Sequence, residues 1–144
     1  MLGMKGMNIM NGMKGMNGGR LFKNVKSRML IFLVFCIGAR LGLAYLAKVI
    51  PAAYLTVYSL IIGIIGVSFL FLFVTGLRKT GAETGGKAIW WAKLRPIHGI
   101  LYVIAGGLLF YRHRCWGSQV IVVDTLIGLT AFLLYHLREG DIKF

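Results

Sequence analysis

Four apolar runs, each too long and too sparsely charged for the core of a soluble domain, decide what this chain can fold into. They cover residues 29–50, 52–77, 94–111 and 118–137, and are 22, 26, 18 and 20 residues long. At a rise of about 1.5 Å per residue, each can cross a hydrocarbon layer of roughly 30 Å. Lipid offers backbone N–H and C=O groups no partners, so only helices or closed barrels span it. These runs lack the two-residue alternation of barrel strands. The expected fold class is all-α: an integral membrane four-helix bundle over residues 29–144, preceded by a disordered Met/Gly-rich tail over residues 1–28.

Composition agrees. The chain is 58% hydrophobic with a mean hydropathy of +0.76, above the roughly 45–50% of soluble domains. Pro51 closes the first run, and Pro96 falls in the first turn of the third, where its missing N–H costs nothing. Paired Trp90 and Trp91 are expected at one headgroup level and Trp116 at the other, as interface anchors. Cys36 lies in an apolar run and Cys115 in a polar loop, so no disulfide between them is expected. No small-residue cleavage site follows a short apolar stretch, and the first run reads as an uncleaved anchor.

Charge sets the direction. Of the 17 Lys and Arg, 13 lie in the tail, the 78–93 loop with Arg95, or the C-terminus, and three lie on the opposite side; Arg40 is inside the first run. The positive-inside rule then predicts both termini on the cytosolic side. The formal charge of +13 is mainly this flanking charge, and it favours anionic headgroups as partners. Nucleic acid is not an expected partner.

Two charges stand where lipid should hold none. Arg40 is near the middle of the first run and Asp124 is inside the fourth. Counted from the outer ends they differ by four residues, or roughly 6 Å, which an Arg stem can reach. The reading is an ion pair joining the first and fourth spans, serving either helix register or an ion path. Gly38 and Gly42 form a GxxxG stripe pointing away from Arg40, hence outward, where it could seat a second copy of the chain. Arg95, His98, Tyr102 and His136 form a candidate polar cluster. His98 and His136 are expected at similar depth near the cytosolic side, where two imidazoles could serve as haem or metal ligands. No GxSxG, HExxH, P-loop or CxxC pattern occurs, so no enzyme activity, cofactor, metal or small-molecule substrate is expected.

The stretch WWAKLRPIHGILYVIAG (90–106) and the later VIVVDTLIGLTAFLLYHL (120–137) resemble small multi-pass membrane proteins of nucleocytoplasmic large DNA viruses, those of algae and amoebae. The matching positions are Trp90, Trp91, Arg95, His98, Gly99, Tyr102 and Asp124, in the last third of the chain. The resemblance implies a viral multi-pass protein of the virion's internal membrane or of infected-cell membranes; the basic face of such a protein would bind anionic lipid, or a capsid or other viral partner. It implies no activity.

The tail carries Met at 1, 4, 7, 10, 13 and 16, and GMKGMN at 3–8 returns at 12–17. Without Pro, and with Ile9 interrupting the series, it is no collagen helix. Spaced thioethers could hold Cu(I), but the charge count places them inside and no His or Cys assists. The favoured reading is a disordered basic repeat lying near anionic headgroups. The leading functional expectation is a structural or organising membrane component. The alternatives are an ion- or proton-conducting bundle using Arg40 and Asp124, and a haem or metal protein using His98 and His136.

Overall fold

The computed structural model describes residues 24–80 and 88–140. The Met/Gly repeat, most of the basic tail, and Lys87 and Lys143 lie outside the described residues. The described residues form four helical spans long and apolar enough to cross a membrane: Lys26–Val49, Ala52–Thr75, Trp90–Phe110 and Arg114–Arg138. No strand occurs among them. The fold class read from the four apolar runs is the one observed.

Local chemistry explains the boundaries. The first span opens at Val25–Ile31, passes through a π-helical stretch, Phe32–Ile37, and continues as Gly38–Val49. Residues 25–28, expected in the tail, are therefore helical. Pro51 ends that span and leads through the short 3-10 turn Ala52–Tyr54 into Leu55–Thr75. Gly76 stops this helix with φ 62°, its N–H reaching the Leu72 carbonyl at 3.1 Å. A residue without Cβ adopts that left-handed geometry at no steric cost. Within the same helix, the hydroxyls of Ser68 and Thr75 donate to the carbonyls of Ile64 and Phe71, so neither exposes an unpaired O–H to lipid.

The third span starts earlier than the apolar run suggests. A 3-10 turn, Trp90–Leu94, runs directly into Arg95–Phe110 with Pro96 in its first turn. The fourth also starts earlier, at Arg114. Arg114, Cys115 and Trp116, expected in a connecting loop, are helical, and the turn shrinks to Tyr111–His113 with Arg112 at φ 65°.

The chain's described ends, residues 76–80 and residues 88–89 share one end of the bundle, here the terminal side; the two tight turns form the turn side. The first span packs chiefly on the fourth, the fourth on the third, and the third on the second. The second and third spans meet backbone to backbone. A Cβ on Gly66 would lie 2.7 Å from the Gly99 carbonyl oxygen, and one on Gly106 would lie 2.9 Å from the Gly63 nitrogen. The fully buried apolar cluster, including Ala47, Leu55, Ile62, Leu109 and Ile121, fills the turn-side half. Tyr58 donates to the Leu43 carbonyl at 2.5 Å, Ser118 to the Ala44 carbonyl at 2.7 Å, and Arg114 to the Ile50 carbonyl at 2.6 Å. The last of these places a cation on the C-terminal carbonyls of the first helix.

Aromatic rings close the terminal-side half. Phe32 stacks on Phe132 with ring centres 4.6 Å apart, and Trp90 stacks on Tyr135 at 4.7 Å. Trp90 and Trp91 meet edge to face. Both indoles, expected as headgroup anchors, are half-buried and packed on neighbouring rings. Trp116 is exposed at the turn side. Val34, Phe35, Ile64 and Val67 are exposed on the outer faces, as suits a bundle whose solvent is hydrocarbon.

Candidate functional site

The first, third and fourth spans each bring one polar side chain to a common level. Counted from the turn-side ends of the observed spans, Arg40 is nine residues in, Asp124 ten and His98 twelve. Earlier helix starts account for this. Taking the fourth span from Arg114 brings Asp124 almost level with Arg40, so the Arg side chain need not climb. Taking the third from Trp90 moves His98 from the membrane margin to mid-span.

Arg40 Nη1 donates to Asp124 Oδ2 at 2.8 Å. His98 Nδ1 pairs with Asp124 Oδ1. The Asp124 side chain is fully buried, and those of His98 and Arg40 are 4% and 17% exposed. A carboxylate has no proton to give, so Nδ1 carries the hydrogen in that bond. The 3.3 Å approach of Arg40 Nη1 to His98 Nδ1 is then a contact of two donors to one carboxylate. This orients the ring with Nδ1 toward Asp124 and Nε2 on the far side.

Glycine makes room for the pair. Gly128 lies one turn beyond Asp124 on the same face; a Cβ there would be 3.1 Å from Arg40 Nη1 and 3.6 Å from His98 Cε1. Tyr102, one turn after His98, is 2% exposed, and its hydroxyl lies in the field of both Arg40 and Asp124. The Phe69 ring packs beside His98 and edge-on to Tyr102, with centres 6.2 and 6.1 Å away.

The structure therefore brings Arg40, Asp124, His98 and Tyr102 together. It separates His136 from them. His98 is beside Gly128, and His136 is eight residues further along the fourth span, or roughly 12 Å of axis. The expectation of equal depth for the two imidazoles is corrected: they cannot share one iron or metal ion. His136 packs instead among Phe132, Tyr135 and Trp90. Arg95 is buried one turn nearer the terminal side than His98. Among the described residues, no group of three or more His, Cys, Asp or Glu side chains is placed to hold a metal. Gly38 and Gly42 are exposed, and a Cβ on either would touch nothing within 4 Å; they lie on an outer face, away from the cluster.

The link from His98 to Asp124 was not read from the sequence. The signal was present in the Trp-Trp pair eight residues before the His, which belongs to the helix and not to the loop. Comparison of the chain with protein-family models, curated proteins and solved structures gave no match. Fold and site define a class, the all-α four-span membrane bundle, here with an Arg–Asp–His cluster at mid-span.

Proposed function

We propose that this chain is a structural, organising component of a membrane and not an enzyme. In this reading both termini are cytosolic, and the basic face, including Lys26, Arg28, Arg78, Lys79 and Lys93, attracts anionic headgroups or a partner protein. What supports the orientation is the uneven distribution of Lys and Arg. What supports a viral membrane is the resemblance carried by residues 90–106 and 120–137, and what supports a capsid or other viral partner is the basic face itself. Gly38 and Gly42 give the first span a face on which a second copy can pack.

One observation carries the organising role. The carboxylate at the centre of the cluster is buried, and both of its oxygens are taken by side chains from two other spans. A group so placed fastens helices, and its loss leaves charge stranded in a low-dielectric interior. The rival is an ion or proton path through Arg40 and Asp124. Replacing Asp124 by Asn separates the two. The organising reading expects an unfolded or much less stable variant and a wild-type protein that adds no proton flux to liposomes. A folded variant that abolishes a measurable wild-type flux would establish the path instead.

A further inference from the structure

The turn side carries positive charge that no acidic residue of the turns balances. Lys48, Arg112 and Arg114 lie there with His113, while Glu83, Asp124, Glu139 and Asp141, the four acidic residues of the chain, all fall outside both turn-side connections. Arg114 reaches across to the carbonyls of Lys48 and Ile50 at 3.2 and 2.6 Å, which holds the two turns side by side. Lys48, Arg112 and His113 are exposed.

Arg112 keeps its place at a steric cost. The third helix ends in a Schellman pattern: the His113 N–H donates to the Leu108 carbonyl at 2.8 Å and the Arg112 N–H to the Leu109 carbonyl at 3.0 Å. That pattern puts residue 112 in the left-handed region, at φ 65°, where a Cβ is crowded and glycine is the usual occupant. The other left-handed positions among the described residues are Gly76 and Gly140, at φ 62° and 73°. Only at the turn side does a cation stand where the backbone favours glycine.

The depth of this patch is set by rings. Each span carries one exposed Tyr or Trp near its turn-side end: Tyr45, Tyr54, Tyr111 and Trp116. None is more than four residues from that end, or roughly 6 Å of helix. Such rings settle at the boundary between headgroups and hydrocarbon, so the turns themselves lie in the phosphate layer.

We infer that the turn side is a docking surface for anionic phospholipid headgroups, with Arg112 retained for that contact. This surface is separate from the basic terminal side. It rests only on the bundle spanning a membrane, and neither on the organising role nor on which side is cytosolic. Charge complementarity selects the partner: unbalanced cations stand at the level of the lipid phosphates. A choline headgroup brings its own ammonium to compete with them, and a glycerol headgroup brings none. The guanidinium fork of Arg112 also matches two phosphate oxygens.

The test places a fluorine-19 label on Cys115, which is exposed beside the patch, in the full chain carrying Cys36→Ala. The protein is held in phosphatidylcholine nanodiscs with a small fraction of phosphatidylglycerol or phosphatidylcholine spin-labelled at carbon 5 of one acyl chain. Relaxation of the label then reports which lipid gathers at the turn side alone. Phosphatidylglycerol should be preferred at least about threefold, and the preference should shrink as salt rises. Arg112→Gly should reduce it by half or more while raising the unfolding midpoint, since glycine relieves the left-handed strain. Equal relaxation by the two lipids would overturn the proposal, as would a preference that ignores salt, full preference in the Gly variant, or a Gly variant less stable than its parent. The comparison of lipids does not use the Gly variant, so a folding failure there leaves it intact.

Discussion

Removing one charge of the Arg40–Asp124 pair should cost far more than removing both. Asp124 is fully buried and Arg40 is about one-sixth exposed, with 2.8 Å between donor and acceptor. Breaking a buried pair on one side costs about 3–5 kcal/mol, because the survivor's charge is left uncompensated. In Asp124→Leu the survivor is Arg40, which can turn its exposed edge outward, so the cost falls near 3 kcal/mol. In Arg40→Leu the survivor is a carboxylate with no exposure and only His98 beside it, so the cost lies toward the upper end of that range. With both changed to Leu, the interior gains apolar volume and loses both charges, and stability should return to within about 1 kcal/mol of wild type. The assay is a double-mutant cycle from reversible unfolding in mixed micelles of dodecyl maltoside and sodium dodecyl sulfate. The coupling energy should be at least about 3 kcal/mol. Ordinary hydrogen bonds between membrane helices average only about 0.6 kcal/mol. A coupling below about 1 kcal/mol would therefore refute the claim that this pair is a desolvated fastener.

The glycines of the second and third spans should divide sharply, although all lie in apolar helices. Gly66→Ala and Gly106→Ala drive a methyl group to 2.7 and 2.9 Å from facing backbone and should each cost about 2 kcal/mol or more, while Gly63→Ala and Gly107→Ala meet nothing within 4 Å and should stay within about 0.5 kcal/mol of wild type. The same micelle unfolding assay reads all four. Arg114→Ala removes the donor to the Ile50 and Lys48 carbonyls and should cost about 1 kcal/mol, with faster amide exchange confined to the Lys48–Pro51 turn. Gly38→Ile and Gly42→Ile have open space within the chain, so unfolding should be unchanged; if the first span seats a second copy, native mass spectrometry will show fewer subunits. An unchanged subunit count would remove these glycines from any interface.

Some of this was legible in the sequence because lipid makes errors of composition conspicuous. Arg40 and Asp124 stand out in apolar runs, and counting residues along each run brought them within an Arg stem of each other. Gly38 and Gly42 fell opposite Arg40 on a helical wheel, and in the structure they lie on an exposed face. Hydropathy misplaces His98, because it rises only at Leu94 whereas the helical span begins at Trp90. The error of four residues moved an imidazole from mid-span to the margin and paired it with His136. The pairing of His98 Nδ1 and Arg40 Nη1 with the two oxygens of Asp124 is beyond any reading of sequence, since it depends on the relative rotation of three helices. The π-helical stretch was equally invisible, because its residues, FLVFCI, are apolar and compatible with an ordinary α-helix.

That stretch has a consequence for how the first span tolerates change in length. Phe32 and Arg40 both meet the fourth span, at Phe132 and Asp124. Eight residues of regular α-helix would leave them about 80° apart around the axis. A π-turn absorbs roughly one extra residue, so the eight act as seven and the two side chains fall within about 20° of one face. The span thus behaves as an α-helix with one residue inserted and taken up on its outer surface, where Val34 and Phe35 are exposed. Deleting either should straighten the helix and keep both contacts in phase. The same deletion in the middle of the second span would turn Gly66 by about 100° away from Gly99, so only the first span has slack in its register.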